Sequence, residues 1–196
     1  MDHWLNLETW VVADNHWGHG NIRAYGARPD NHYELMRSLW LERVGGRESV
    51  LHLGDLLWGG FTEDPPWWVL DLPGTKRLVR GNHDKYSAKW YRAIGFEVIG
   101  RGDKAVRRLH LPEHDLVVAF SHEPLVADRD DGGWDVNVHG HVHQNPVRYV
   151  TAPRSPADYV NACVEAIGYG PVRLRELLER AGALGKPGET PNKGGS

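Results

Sequence analysis

The chain has 196 residues, 40% of them hydrophobic, and a formal net charge of −3. That suits one domain with a core of ordinary size and lacks the basic footprint that binding long duplex nucleic acid requires. A single cysteine, Cys163, excludes an internal disulfide framework and a thiolate zinc cluster. Residues 1–10 hold no apolar signal core, and no later stretch nears about 18 uninterrupted apolar residues, so the expectation is a cytoplasmic chain without a membrane span.

Residues 9–13 (TWVVA) form a short apolar run that stops at a polar cluster over 14–21, which predicts a buried strand with a functional loop at its carboxyl end. Leu35, Met36, Leu39, Trp40 and Val44 then follow helical spacing until Gly45-Gly46 ends the pattern. Strands are predicted at 49–53 and 76–79, each running into a glycine-led polar motif. Between them, 61–74 suggests a short helix begun by Pro65-Pro66 and closed by Pro73-Gly74. Another helix is predicted at 87–94. This alternation argues an α/β fold with parallel pairing in the first half.

Past Gly95 the runs at 96–99, 105–111, 116–120, 135–138, 147–150 and 159–164 read as strands joined mostly by turns, giving a mainly antiparallel or mixed sheet. Leu174, Leu177, Leu178 and Ala181 mark an amphipathic helix after Pro171. One domain is therefore expected over 1–182, and 183–196, almost devoid of apolar residues, is expected to be a disordered tail.

Five segments carry chemistry: Asp14-Asn15-His16, Gly54-Asp55, Gly81-Asn82-His83-Asp84, Ser121-His122 and Gly140-His141-Val142-His143. Carboxylate, amide and imidazole donors suit divalent cations, and ions about 3.5–4 Å apart can hold a phosphoryl group and activate water. Asp14, His16, Asp55, Asn82, His122, His141 and His143 supply enough donors for two ions sharing one carboxylate. Strand ends are where open α/β sheets bind ligands. Taken singly, each has an ordinary reading: a polar loop, a strand-to-turn dipeptide, alternating strand residues or a core histidine.

In this order the segments resemble the motifs of the calcineurin-like metallophosphoesterase superfamily. The likeness covers about residues 9–180, and the stretches 14–22, 80–84 and 168–172 look like those of small phage-associated and bacterial members. The resemblance implies a four-layer α/β/β/α sandwich of two mixed β-sheets flanked by helices. It implies two divalent metal ions, drawn from manganese, iron, zinc, nickel or cobalt, with Asp14, His16, Asp55 and His143 holding one and Asp55, Asn82, His122 and His141 the other. His83 would protonate the leaving oxygen or stabilise the phosphate, with Asp84 orienting its imidazole. Many relatives have a second acid in Gly-Asp-x-x-Asp; here Trp58 stands in its place and could line the pocket.

His19 and Asn21 could contact phosphate or cap the loop, and Arg23 and Arg80 could pair with a phosphate oxygen or stay solvated. His52 and His139 are expected to pack beneath the site; Trp67, Trp68 and Trp134 are core or stack on a base. The implied activity is hydrolysis of phosphodiesters by a hydroxide bridging the metals, with small or cyclic nucleotides as substrates and no long nucleic acid as partner. A phosphomonoesterase acting on nucleotides or phosphoprotein, then a nuclease, and a metal-bound interaction module without turnover are the alternatives.

Overall fold

A computed structural model describes residues 4–58, 67–126, 133–148 and 154–184. The apolar run near the N-terminus forms β1 (Trp10–Val12), buried at every position, as expected of a strand covered on both faces. Polar residues follow, with α1 (Ile22–Gly26) and α2 (His32–Arg43). On α2 the buried residues are His32, Met36 and Trp40, spaced by four, and Trp40 anchors the helix by donating its indole N–H to the Pro73 carbonyl at 3.1 Å. After the Gly45-Gly46 stop come β2 (Ser49–His52), α3 (Trp67–Leu70), β3 (Thr75–Arg80), α4 (Ala88–Ala93) and β4 (Phe96–Arg101). Ser87 caps α4 by accepting from the Trp90 N–H.

β1 to β4 are mutually parallel, with Trp10 opposite Val50, Ser49 opposite Thr75 and Lys76 opposite Phe96. A bulge at Ile99 shifts the β3–β4 register, so Val79 faces Gly100 and Arg80 faces Arg101.

The second half supplies β5 (Arg107–Leu111), β6 (Leu116–Ser121), β7 (Val136–His139) and β8 (Tyr159–Asn161), a four-stranded sheet in that order. Its β5–β6 pair is antiparallel, but β6, β7 and β8 run parallel. The turns expected between these strands are therefore long connections, because parallel neighbours need a crossover. Residues 147–148 are not strand, and the rest of the strand expected at 147–150 lies outside the described residues. The strand expected over 159–164 is shorter and gives way to α5 (Val164–Ile167).

β9 (Val172–Arg173) pairs antiparallel with β1 and completes the first sheet, ordered β4-β3-β2-β1-β9. The last helix, α6 (Leu174–Arg180), consequently begins three residues beyond Pro171. Leu174, Leu177 and Leu178 are buried, as their spacing required, and Leu184 is too, which carries the packed body past the boundary expected at 182. Residues 185–196, most of the expected tail, lie outside the described residues, as do 61–66 at the start of the helix expected before β3.

Two mixed sheets flanked by helices thus form the α/β/β/α architecture, and apolar residues of both sheets belong to one hydrophobic cluster. The sheets meet where β1 ends. Ala13 bridges to Cys163, with its N–H donating to the Ala162 carbonyl at 2.9 Å and its carbonyl accepting from Val164 N–H at 3.1 Å. Loops leaving the carboxyl ends of β1, β2, β3, β6 and β7 converge on that seam. Trp134 is buried away from that seam, just before β7, beside Tyr159 at the start of β8 and with the Arg154 guanidinium 3.7 Å over its ring. The side chains of Trp67 and Trp68 lie outside the described residues. No described helix is long and apolar enough to cross a membrane.

Candidate metal centre

The loops after β1 and β2 are laced together backbone to backbone. Asp14 N–H donates to the Gly54 carbonyl at 2.9 Å, His16 N–H to the Asp55 carbonyl at 3.0 Å and Trp17 N–H to the Leu56 carbonyl at 3.0 Å. From the second sheet, Gly140 N–H reaches the His122 carbonyl at 2.9 Å, and His141 N–H donates to Asp14 Oδ2 at 2.8 Å. Segments far apart in sequence are therefore held in register by main-chain bonds and by the one bond to the Asp14 carboxylate.

Two donor groups result, Asp14 with His16 and His143, and Asp55 with His122 and His141. His16 Nε2 lies 3.5 Å from Asp14 Oδ1 and 3.6 Å from Asp55 Oδ2, while His122 Nε2 lies 3.5 Å from the same Asp55 oxygen. Asp55 Oδ2 thus faces both groups, and Asp55 Oδ1 is turned aside to accept the His83 N–H at 2.8 Å. Asn82 Oδ1 stands 2.9 Å from His122 Nε2 and 3.0 Å from His141 Nδ1. Metal bonds of about 2.0–2.2 Å place neighbouring ligands about 3.3–3.6 Å apart in a tetrahedron and about 2.8–3.1 Å apart in an octahedron, the range that these separations span.

Lone pairs make the same point. His122 Nδ1 must donate to the Leu53 carbonyl, 2.8 Å away, so in the neutral ring Nε2 presents a lone pair to the oxygens of Asn82 and Asp55. His143 Nδ1 donates to Glu165 Oε1 at 2.9 Å, which leaves its Nε2 lone pair aimed at Asp14 Oδ1, 4.0 Å away. Asp14 Oδ1 and both His16 ring nitrogens are buried without a hydrogen-bond partner among the described residues. Acceptors facing acceptors at depth cost free energy unless a cation satisfies them, so the donor set fits divalent metals.

Titration reflects that crowding. Burial pushes the Asp55 carboxyl up to about 6, against the pull of His122 and His16. Burial also raises Asp14, but the adjoining His16, His122 and His143 outweigh it and hold the carboxyl well below its usual range. Burial and the charge of His122 lower His141. For His143, burial acts downward, yet its bond to Glu165 carries it above the usual imidazole value.

The backbone is bent to serve the same end. Asp14, His16, Asp55, His141 and His143 all have φ between 50° and 71°, a left-handed conformation that Asp and His tolerate better than most residues but still uncommonly adopt. Glycines permit the closest approaches: a Cβ on Gly81 would lie 2.2 Å from Asp55 Oδ1, and one on Gly54, 2.6 Å from His122 Nδ1.

His83 sits beside the donor groups, its ring 5.3 Å from His16 and 4.4 Å from Trp58, centre to centre. Burial, reinforced by His16 and Lys85, pushes it down to about 4. Asp84 does not orient it. The fully buried Asp84 carboxylate accepts from the backbone N–H groups of Asp55 (2.7 Å), Leu56 (3.1 Å) and Gly81 (2.9 Å) and from the Tyr91 hydroxyl (3.0 Å). Its work is to satisfy turn N–H groups that would otherwise be buried unpaired.

Trp58 does line the pocket, packed 3.6 Å from the His19 ring centre. His19 and Asn21 border the same cavity as Trp58 and His83, and Asn21 N–H donates to His19 Nδ1 at 3.2 Å. Arg23 points elsewhere, paired on the surface with Asp30. Arg80 is held by the Asp84 carbonyl, from Nε at 3.0 Å and Nη2 at 2.5 Å. His52 and His139 are buried under the site as expected; His52 Nδ1 accepts the Gly54 N–H at 3.1 Å, so its Nε2–H donates to Asn15 Oδ1 at 2.7 Å.

Sequence reading missed Arg28 and Glu165. Buried Arg28 donates from Nη2 to the Asp14 carbonyl (2.6 Å), from Nη1 to the Asn15 carbonyl (2.7 Å) and from Nε to Glu165 Oε1 (2.8 Å). Burial raises Glu165, but its bonds to His143 and Arg28 hold it low and ionised. Neither residue sits in a motif; the one signal was an arginine inside the polar stretch that follows β1.

Residues 7–159 match the family model described as calcineurin-like phosphoesterase. The Gene 66 protein of Mycobacterium phage D29 is 33% identical over 171 residues, covering 74% of this chain and 83% of that protein. An uncharacterized protein of Methanocaldococcus jannaschii is 28% identical over 175 residues, 87% of this chain and 89% of its own. A solved structure from Aquifex aeolicus, of a protein of unknown function, shares the fold with a TM-score of 0.64 at 22% identity, over 88% of this chain and 98% of that one. The family model spans most of the sequence, and the chain belongs to the calcineurin-like phosphoesterases, a metal-dependent family.

Proposed function

We propose that this chain is a binuclear metal-dependent phosphodiesterase acting on small nucleotide esters, cyclic nucleotides included. The observation that carries the reading is the meeting of two lone-pair-rich donor groups at a single oxygen, Asp55 Oδ2. Asp14, His16, Asp55 and His143 would hold one divalent cation, and Asp55, Asn82, His122 and His141 the other. When bound, such a pair neutralises phosphate oxygens and supplies an activated water at neutral pH.

The chain's own residues do the rest. His83 donates an N–H hydrogen bond to the departing ester oxygen as negative charge develops there. Trp58 and His19 form an aromatic wall for the group that leaves with that oxygen. Diesters are favoured over monoesters because cavities open on both flanks of the donor groups, one bordered by His16, Trp58 and His83 and the other by Asn82 and His122. A diester phosphate has a substituent for each.

Purified protein should bind two equivalents of metal, lose activity on chelation and regain it with Mn²⁺. It should hydrolyse bis-p-nitrophenyl phosphate and cyclic nucleotides faster than p-nitrophenyl phosphate. Full activity in the chelated protein would overturn the metal reading, and a monoester preference would overturn the diester one.

A further inference from the structure

We infer that the cavity beside Asn82 and His122 is an anion subsite that receives a second phosphate of the substrate. Diesters carrying a further phosphate, such as a 5′-phosphorylated dinucleotide, are then preferred to singly charged ones. This inference rests on the phosphodiesterase reading and names the substrate class within it. Three arginines line this cavity of about 430 Å³ together with the two candidate ligands: Arg80, Arg101 and Arg108. That volume lies within the usual range for small-molecule sites, roughly 300–1,000 Å³.

The arginines arrive from separate strands. Arg80 and Arg101 end the parallel strands β3 and β4 and face each other directly in register, and Arg108 comes from β5 at the edge of the second sheet. In-register neighbours of a parallel pair lie on the same face of the sheet, and both residues border the cavity, so two positive charges are delivered to it from adjacent strand ends. The chain is acidic overall, so this concentration of positive charge does not follow from composition.

Arg80 is also pre-set. Its guanidinium is held by the Asp84 carbonyl at 3.0 and 2.5 Å and lies 5.8 Å from the Tyr91 ring centre. A carbonyl fixes the fork without cancelling its charge, as a carboxylate would. Arg80 differs in this from Arg23, Arg37, Arg77 and Arg173, each of which pairs with a carboxylate. Glu123 also borders the cavity, and it sets a limit on how many anionic groups the subsite takes. Planar guanidinium forks match phosphate oxygens two at a time, and the cavity adjoins Asn82 and His122, where the scissile phosphate would sit.

The test compares the thymidine dinucleotide pTpT with TpT on the metal-loaded full chain. The expected kcat/KM ratio is about 10-fold or more in favour of pTpT, carried by KM, the size of one charge-assisted hydrogen bond. In Arg101→Ala and Arg108→Ala the ratio falls to within about 2-fold, and in Arg101→Lys it stays between the two, since a point charge lacks the fork. A ratio near one in the unaltered protein, or one that survives both alanine variants, overturns the subsite. If neither dinucleotide nor bis-p-nitrophenyl phosphate is hydrolysed, the phosphodiesterase reading fails by itself. Calorimetric binding of the two intact dinucleotides then decides the subsite, equal affinities overturning it.

Discussion

Glu165→Ala removes the acceptor that Arg28 and His143 share, and its effect can be worked from the contacts. Glu165 Oε1 takes 2.8 and 2.7 Å bonds from Arg28 and a 2.9 Å bond from His143, with the Arg28 side chain fully buried and that of Glu165 nearly so. Breaking a buried ion pair from one side leaves an uncompensated charge, at a cost of about 3–5 kcal/mol. For a chain of this length that lowers Tm by roughly 6–20 °C. Thermal unfolding in chelator isolates this contribution from any metal effect. His143 meanwhile loses the partner that fixes Nδ1 as donor, and outer partners of this kind are typically worth about 10–100-fold in metal affinity, read by titration at neutral pH. Glu165→Gln, whose amide oxygen can still accept from both, falls between the unaltered protein and the alanine variant. The double change Arg28→Met with Glu165→Leu recovers part of the stability but not all, since the carbonyls of Asp14 and Asn15 lose their buried donor. An alanine variant that melts within a degree of the parent in chelator and binds metal as tightly would refute the relay.

His83→Ala should lower kcat about 10²–10³-fold, the range for a lost hydrogen-bond donor to developing charge, while elemental analysis still finds the parent's metal content; a parallel fall in both would mean that His83 holds the site together instead. Tyr91→Phe withdraws the hydroxyl that bonds Asp84 and should cost about 1 kcal/mol or more in urea unfolding, with slower turnover because the Gly81–Asp84 turn loosens. Glu48 accepts from Gly45 N–H and the Trp10 indole, and these bonds, ahead of its pairing with Arg173, hold it below 4.5. A carboxyl depressed in the folded state contributes stability above its unfolded value and loses it as pH falls through the folded one. The difference in Tm between the parent and Glu48→Gln should accordingly be full at pH 6 and shrink below about 4; a gap independent of pH would refute it.

The strand-then-motif rhythm was legible because parallel strands buried on both faces must be continuous apolar runs, and 9–13 and 49–53 could be little else. Helix α2 declared itself through residues spaced by four and a Gly-Gly stop. β9 escaped because two residues carry no period; only pairing with Trp10 and Val11 makes Val172 and Arg173 a strand. Convergence of the seven candidate ligands could be expected from motif order, but not the division of work around them. Asp84 looks like a partner for the histidine beside it, yet the buried N–H groups of a tight turn claim it first. Arg28 and Glu165 are distant in sequence and meet only where the two sheets join, so no local pattern announces them.

The arrangement also explains why so much non-motif structure surrounds so few donors. Left-handed backbone at Asp14, His16, Asp55, His141 and His143 costs on the order of 1 kcal/mol or more at each residue, and the converging lone pairs add to it. A loop free to relax would shed that cost by letting the side chains turn away. Relaxation is blocked from three sides: Arg28 grips the carbonyls of Asp14 and Asn15, Asp84 grips the N–H groups of Asp55, Leu56 and Gly81, and His141 N–H is tied to Asp14 itself. Stability from the hydrophobic cluster beneath is thereby spent on holding acceptors together, and a cation entering the site meets ligands whose ordering has already been done.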